Sequence, residues 1–179
     1  MAIAAGLTID DFENLPDALA RNHELVDGEL VDVCGNTPNH NGLRDLLIEL
    51  LRPLVRGARL GVVLAEQEYE FAGNAHGPDV SFIGESKSRL IDWDRRVQRF
   101  VPDLAIEIAS SSDTFEKLMG KAKRYRECGT GEVWLFSIGL RQAVRLSASG
   151  QAILEENDAF APESIPGFSI PIGELLDRI

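Results

Sequence analysis

Glu107 stands in the run VPDLAIEIA (residues 101–109), where every neighbour within two positions is apolar. A buried carboxylate is costly unless it is ion-paired, hydrogen-bonded or bound to a metal. On a strand, alternation sends Leu104, Ile106 and Ile108 to one side and Ala105, Glu107 and Ala109 to the other. The two alanines leave room beside Glu107 for water or an ion. An earlier segment, PDVSFI (Pro78–Ile83), has the same shape, with Asp79 facing away from Val80 and Phe82. Two strands that each carry one carboxylate out of an apolar setting suit a hard divalent cation. Mg²⁺ takes oxygen ligands and keeps several waters, so one or two carboxylates suffice. On spacing alone the alternative stays open: Asp79 capping a strand end and Glu107 pairing with an arginine.

A lysine completes the set. In the segment after Glu107, Phe115, Leu118, Met119, Ala122, Tyr125 and Cys128 trace one arc of a helix. Lys121 falls inside that arc, whereas Lys123 falls beyond Met119, toward solvent. A lysine on an inward face can extend its ammonium to an acidic cluster; a surface lysine laying its stem along the helix has the same spacing.

The elements that must hold these residues read as follows. Thr8–Leu19 is a short helix ending near Pro16, and residues 23–33 (HELVDGELVDV) form a hairpin turning on Asp27-Gly28. Leu43, Leu46, Leu47, Leu50, Leu51, Leu54 and Val55 mark a long amphipathic helix, with Pro53 inside it and Gly57 as its stop. Strands are expected over Gly61–Glu70, Pro78–Ile83, Leu104–Ala109, Glu132–Ser137 and Gln142–Leu146. The polar connection over residues 84–100 has room for a short helix. A further helix runs from about Thr114 to Glu127, with Asp113 and Glu116 at capping-box spacing and Gly129 as its stop. IPGFSIPIGELL closes the chain as a loop, a short strand and a helical turn. The pattern is that of a mixed α/β domain with one central sheet.

Length and composition are consistent with this. The 179 residues fit one domain, 1–179, with a sizeable core, and 44% hydrophobic content argues against disorder. No apolar run approaches the ~20 residues of a membrane span. The start, MAIAAGLTIDDF, lacks a secretory pattern, and the two cysteines, Cys34 and Cys128, read as core thiols of a reducing cytoplasm. Net charge is −11, yet residues 87–126 carry ten of the 18 basic and six of the 29 acidic residues, a local surplus of +4 against −15 elsewhere. Such a patch can contact phosphates, and it is equally consistent with ordinary solvated faces.

Five motifs in order, HELVDGEL, TPNHNGL, the Asp79 segment, PDLAIEIASSSD with KAKRYRECGTGEVW, and IPGFSIPIGELL, resemble the Uma2 family (DUF820) of the PD-(D/E)xK nuclease-like superfamily. The resemblance spans about residues 7–176. It implies a restriction-endonuclease-like α/β core, a mixed central sheet flanked by helices. By the superfamily pattern Asp79 and Glu107 are metal ligands. The lysine that usually follows the acid by two residues, here Ala109, is displaced to Lys121, spaced to Tyr125 and Gly129 as in the family. Glu24 matches a family acid and joins the site as a fourth polar member, with Glu29 the weaker candidate from that hairpin. His40 matches a family histidine and reads as a residue capping or packing the helix start. VWLFSIG departs from the family's YWLVDP at Ser137 and Gly139, which affects a turn rather than the acidic cluster.

The expectation is a Mg²⁺-dependent endonuclease, with Mn²⁺ as an alternative ion. It would act on nucleic acid, foremost DNA, as a cytoplasmic homodimer without membrane association. Arg89–Arg99 and the 117–126 helix would position the phosphate backbone. The rival is a binding module, for nucleic acid or protein, that keeps the fold without cleavage; a hydrolase of small phosphates is a third possibility.

Overall fold

The computed structural model describes residues 6–20, 22–33, 36–110 and 113–179. Cys34, Ser111, Ser112 and the first five residues of the N-terminal stretch lie outside the described residues. Cys128 is a free, half-buried thiol.

Thr8 opens α1 (Ile9–Glu13) with a capping box: its hydroxyl accepts from the Asp11 N–H, and the Asp11 carboxylate accepts from the Thr8 N–H. The single helix expected over Thr8–Leu19 is in fact two. Pro16 has no N–H to continue a helical ladder, and α2 (Asp17–Ala20) starts after it. The hairpin of β1 (His23–Val26) and β2 (Glu29–Asp32) turns on Asp27 and Gly28, whose φ values of 51° and 82° are those of a tight primed turn. Thr37 caps α3 (Pro38–Gly57), with proline at its first position. His40, Leu43, Leu47, Leu51 and Val55 form its buried stripe, while Leu46, Leu50 and Leu54 lie along its border. Pro53 gives up one helical hydrogen bond without ending the helix, and the cap falls on Ala58.

Gly61–Glu70, expected as one strand, divides into β3 (Gly61–Ala65) and β4 (Glu68–Phe71). Glu66 between them takes φ +50°, which breaks the extended run. Then follow β5 (Asn74–His76), β6 (Val80–Gly84), α4 (Glu85–Ser88), β7 (Val97–Gln98) and β8 (Leu104–Ile108). Helix α5 (Phe115–Glu127) is capped by Thr114, not Asp113; the Asp113 carboxylate instead accepts from the Ser110 N–H and hydroxyl. Gly129, at φ +105°, turns the chain out of α5. The chain closes with β9 (Glu132–Ser137), β10 (Gln142–Ser147), β11 (Gly150–Leu154), β12 (Ala159–Phe160), β13 (Ile170–Pro171) and α6 (Ile172–Leu176).

The strands form two main sheets rather than one. The larger has the order β11-β10-β9-β8-β6-β3, with β8 and β9 parallel and its other pairs antiparallel. The smaller has the order β2-β1-β5-β4-β7, and β12 pairs with β13. One face of the larger sheet, with Val80, Leu104, Ile106 and Ile108, packs on the α3 stripe and on Ile172, Leu175 and Leu176 of α6. The opposite face, with Ile83, Ala105 and Val133, packs on Met119, Ala122 and Tyr125 of α5 and on Tyr69 and Phe71 of the smaller sheet. Helix α5 therefore sits where both sheets meet. Phe115, expected on its inward arc, is exposed. No helix among the described residues is long and apolar enough to cross a membrane.

The arginines of residues 89–99 mostly serve the fold. Arg96 makes a bidentate bond to Glu68 (2.6 and 2.7 Å) and lies over the Phe12 ring. Arg99 binds Glu13 at 2.7 Å, Glu70 at 3.0 Å and also Asp10, tying α1 to the smaller sheet. Arg96→Met strands the half-buried Glu68 carboxylate and should cost about 1–3 kcal/mol in urea unfolding. Arg89→Met, at an exposed position with no ion pair among the described residues, should stay within about 0.5 kcal/mol of the unmodified protein.

Candidate active site

The ladder between β6 and β8 ends at Val80 opposite Ile106, and one step further the antiparallel register sets Asp79 opposite Glu107. Residues so placed have Cβ atoms about 4.5–5.5 Å apart. Asp79 replaces the missing main-chain partner at the ladder's end: its Oδ2 accepts from the Ile108 N–H at 2.7 Å. Its Oδ1 lies 2.7 Å from His40 Nε2. Glu107 projects from β8 toward α5, where its Oε1 accepts from the Tyr125 hydroxyl at 2.7 Å and from Lys121 Nζ at 3.0 Å. Its Oε2 makes no hydrogen bond among the described residues.

Lys121 also reaches Glu24 Oε1, at 2.9 Å, so one ammonium joins a strand of the smaller sheet to a strand of the larger. Glu24 is held further by the Gly77 N–H at 3.1 Å and by His76 Nδ1 at 2.9 Å. The other side of the His76 ring faces Arg124 at 3.4 Å. A guanidinium only donates, so His76 Nε2 accepts and Nδ1–H donates to Glu24. Asp79, Glu107, Lys121 and Glu24 thus converge, while Glu29 is exposed on β2 and takes no part. Lys123, two residues from Lys121, points to solvent.

Burial raises the Glu107 carboxyl to about 7; the Lys121 ammonium opposes this and the charges of Asp79 and Glu24 add to it. Glu24 goes the other way: burial pulls it up, but Lys121 and His76 outweigh burial and hold it at about 2. Burial pulls the Lys121 ammonium down, and the Glu107 and Glu24 carboxylates more than reverse that, so it stays protonated. Burial lowers the His76 imidazole against the opposing pull of Glu24. The depressed Glu24 stabilises the fold above its unfolded value of 4.5, and that contribution fades as pH falls toward about 2. The advantage of the unmodified protein over Glu24→Gln should therefore be largest near neutrality, on the order of 2–3 kcal/mol, and close on acidification in a pH series of urea melts.

The donor set bears on which ion would fit. Among the described residues no three His, Cys, Asp or Glu side chains gather as a ready-made metal cage. Zn²⁺ normally takes three or four protein ligands. Two carboxylates, one with an uncommitted oxygen, instead fit a hard cation that keeps much of its water, as Mg²⁺ or Mn²⁺ does.

His76 and Arg124 join the site without having stood out in the sequence as candidates. The signal for His76 was present: a histidine three residues before Asp79, flanked by Ala75 and Gly77 with no apolar period to serve. Arg124 sits three residues after Lys121, the spacing of helix neighbours on one face.

A mixed sheet flanked by helices, with acids at the ends of adjacent strands and a lysine from the next helix, is a restriction-endonuclease-like α/β fold. Residues 9–173 match the Uma2 family, described as "Putative restriction endonuclease", and the chain belongs to that family. Among solved structures it resembles a protein from Anabaena variabilis ATCC 29413 described as "a putative nuclease belonging to DUF820". The TM-score is 0.84 at 19% identity, over 96% of this chain and 98% of that one, a likeness of fold. No curated protein matches the chain.

Proposed function

We propose that this chain is a metal-dependent endonuclease that hydrolyses phosphodiester bonds of nucleic acid, DNA foremost, with Asp79 and Glu107 holding Mg²⁺ or Mn²⁺. The observation that carries the reading is the convergence of one lysine on two acids from different sheets, beside a third acid at the end of the Glu107 ladder. A bound divalent ion would supply an activated water and polarise a phosphoryl oxygen. Asp79, fixed on both oxygens, offers a rigid ligand, and Glu107 offers its free Oε2. Lys121 lies 3.0 Å from the Glu107 carboxylate, so a phosphate brought to that carboxylate meets an ammonium able to orient water or offset developing charge. Glu24 acts through Lys121, holding its ammonium in place. Lys117 and Lys123 on α5 and Arg89 after α4, exposed without ion pairs among the described residues, are cations free to contact a phosphate backbone.

We take residues 1–179 as one domain acting in the cytoplasm as a homodimer, since a two-fold pair presents two sites to the two antiparallel strands of a duplex. Incubation with plasmid and oligonucleotide DNA in Mg²⁺, Mn²⁺ or EDTA tests the activity. Cleavage with either ion and none in EDTA is the expected result. DNA binding without cleavage under any ion would favour the binding-module reading, to which the −15 charge outside residues 87–126 lends weight.

A further inference from the structure

We propose that His40 is a positioning residue for the metal site: its imidazole fixes the Asp79 carboxylate in the orientation that receives the ion. The inference rests on the metal-dependent reading above.

His40 lies at the third position of α3, where its main-chain N–H meets the Thr37 hydroxyl at 3.3 Å. Its side chain begins the stripe that continues as Leu43, Leu47, Leu51 and Val55. A leucine there would extend the stripe and bring no ring nitrogen to satisfy, at the loss only of the bond to Asp79. His40 is only 4% exposed, and its imidazole uses a single nitrogen, with Nε2 2.7 Å from Asp79 Oδ1. Nδ1 is buried without a hydrogen-bond partner among the described residues. A buried orphan costs about 1–3 kcal/mol, and an orphan N–H would be the worse form. The ring proton therefore sits on Nε2 and is donated to Asp79. His76 makes the contrast, because both of its nitrogens have partners. A histidine needed only to pack or cap a helix gains nothing from such an arrangement, whereas one needed to aim a carboxylate does.

The geometry has a second support. Asp79 stands one residue beyond the last pair of β6 with β8, and on the β3 side its carbonyl takes only the Glu66 N–H at 3.2 Å. Two bonds replace the ladder: the Ile108 N–H on Oδ2 from β8, and His40 on Oδ1 from α3. Without His40 the carboxylate keeps one tether and can rotate about it. Donors of this kind, hydrogen-bonded to a metal-ligating carboxylate, typically change metal affinity by about 10–100-fold when removed.

The test is Mn²⁺ titration of the full chain by calorimetry without nucleic acid, so the readout is independent of cleavage. His40→Gln, whose amide N–H reaches about as far as Nε2, should bind Mn²⁺ within about threefold of the unmodified chain. His40→Leu, which fills the space, and His40→Asn, which is too short, should each bind about 10–100-fold more weakly while melting cooperatively. If the leucine variant does not fold, the asparagine variant decides. Unchanged affinity in either variant, or an equal loss in His40→Gln, overturns the positioning role alone. No Mn²⁺ binding by the unmodified chain overturns this inference and the metal-dependent reading together.

Discussion

Lys121→Met should abolish turnover and also destabilise the metal-free protein at pH 7, by about 3 kcal/mol. The substitution keeps most of the aliphatic stem and removes only the ammonium. Glu24 and Glu107, both largely buried, then lose the one cation they share, bonded at 2.9 and 3.0 Å. Leaving a buried charge without its partner is among the few single changes with an effect of this size. Part of the loss should be recovered when Glu107 takes up a proton, so the deficit should be smaller at pH 5 than at pH 8. Substrate affinity should change little, because the role assigned to the ammonium belongs chiefly to the transition state. Lys123→Ala should do the opposite, lowering affinity and flattening its salt dependence at near-normal saturated turnover. Urea melts, single-turnover cleavage and salt-titrated binding of the two variants check this. An exchange of the two patterns would assign the catalytic role to the exposed lysine.

Glu107→Gln should raise the melting temperature of the metal-free protein at pH 8 and leave it nearly unchanged at pH 5. The Glu107 carboxyl is raised from 4.5 to about 7, first by burial and then by the charges of Asp79 and Glu24. Between those values the folded state binds more protons than the unfolded chain, so stability falls as pH rises across that window. Above pH 7 the cost is present in full, on the order of 1–3 kcal/mol, and a glutamine cannot incur it. For a domain of this size that corresponds to several degrees. The glutamine carbonyl can still accept from Tyr125 and Lys121, so the local hydrogen bonds survive. The same variant should lose Mn²⁺ binding. A fall in melting temperature at pH 8 in EDTA would instead make Glu107 a structural ion-pair member.

Much of the fold was legible because local signals and packing agree. The Leu43-Leu47-Leu51-Val55 spacing specifies α3, and Asp27-Gly28 specifies the hairpin turn. The alternation around Glu107 and Asp79 gave the facing of both strands, as the two apolar clusters on either side of the larger sheet show. The division of Gly61–Glu70 was hidden, since Glu66 adopts a positive φ that its residue type does not announce. The second sheet was hidden too, because β5 and β7 are three and two residues long, and the pairs that assemble the sheet, Leu25 with Ala75 and Glu68 with Val97, join residues far apart in sequence. In the candidate site, helical spacing and the family pattern distinguish Lys121 from Lys123. His76 has no comparable periodicity, and its partner Glu24 lies 52 positions away in sequence. The basic surplus of residues 87–126 misled in part. Sequence counts charges but not their partners, and Arg95, Arg96 and Arg99 face Glu13, Glu68, Glu70 and Asp10.

The decisive test of the proposed metal site is a crystal structure of the chain soaked in Mn²⁺, with the ion located by its anomalous scattering. The expected result is one peak bridging the Asp79 and Glu107 carboxylates, with metal–oxygen distances of about 2.1 Å and water completing the coordination. A saturating soak without that peak, in which Glu107 stays on Lys121 and Tyr125 and Asp79 stays on His40, would contradict it.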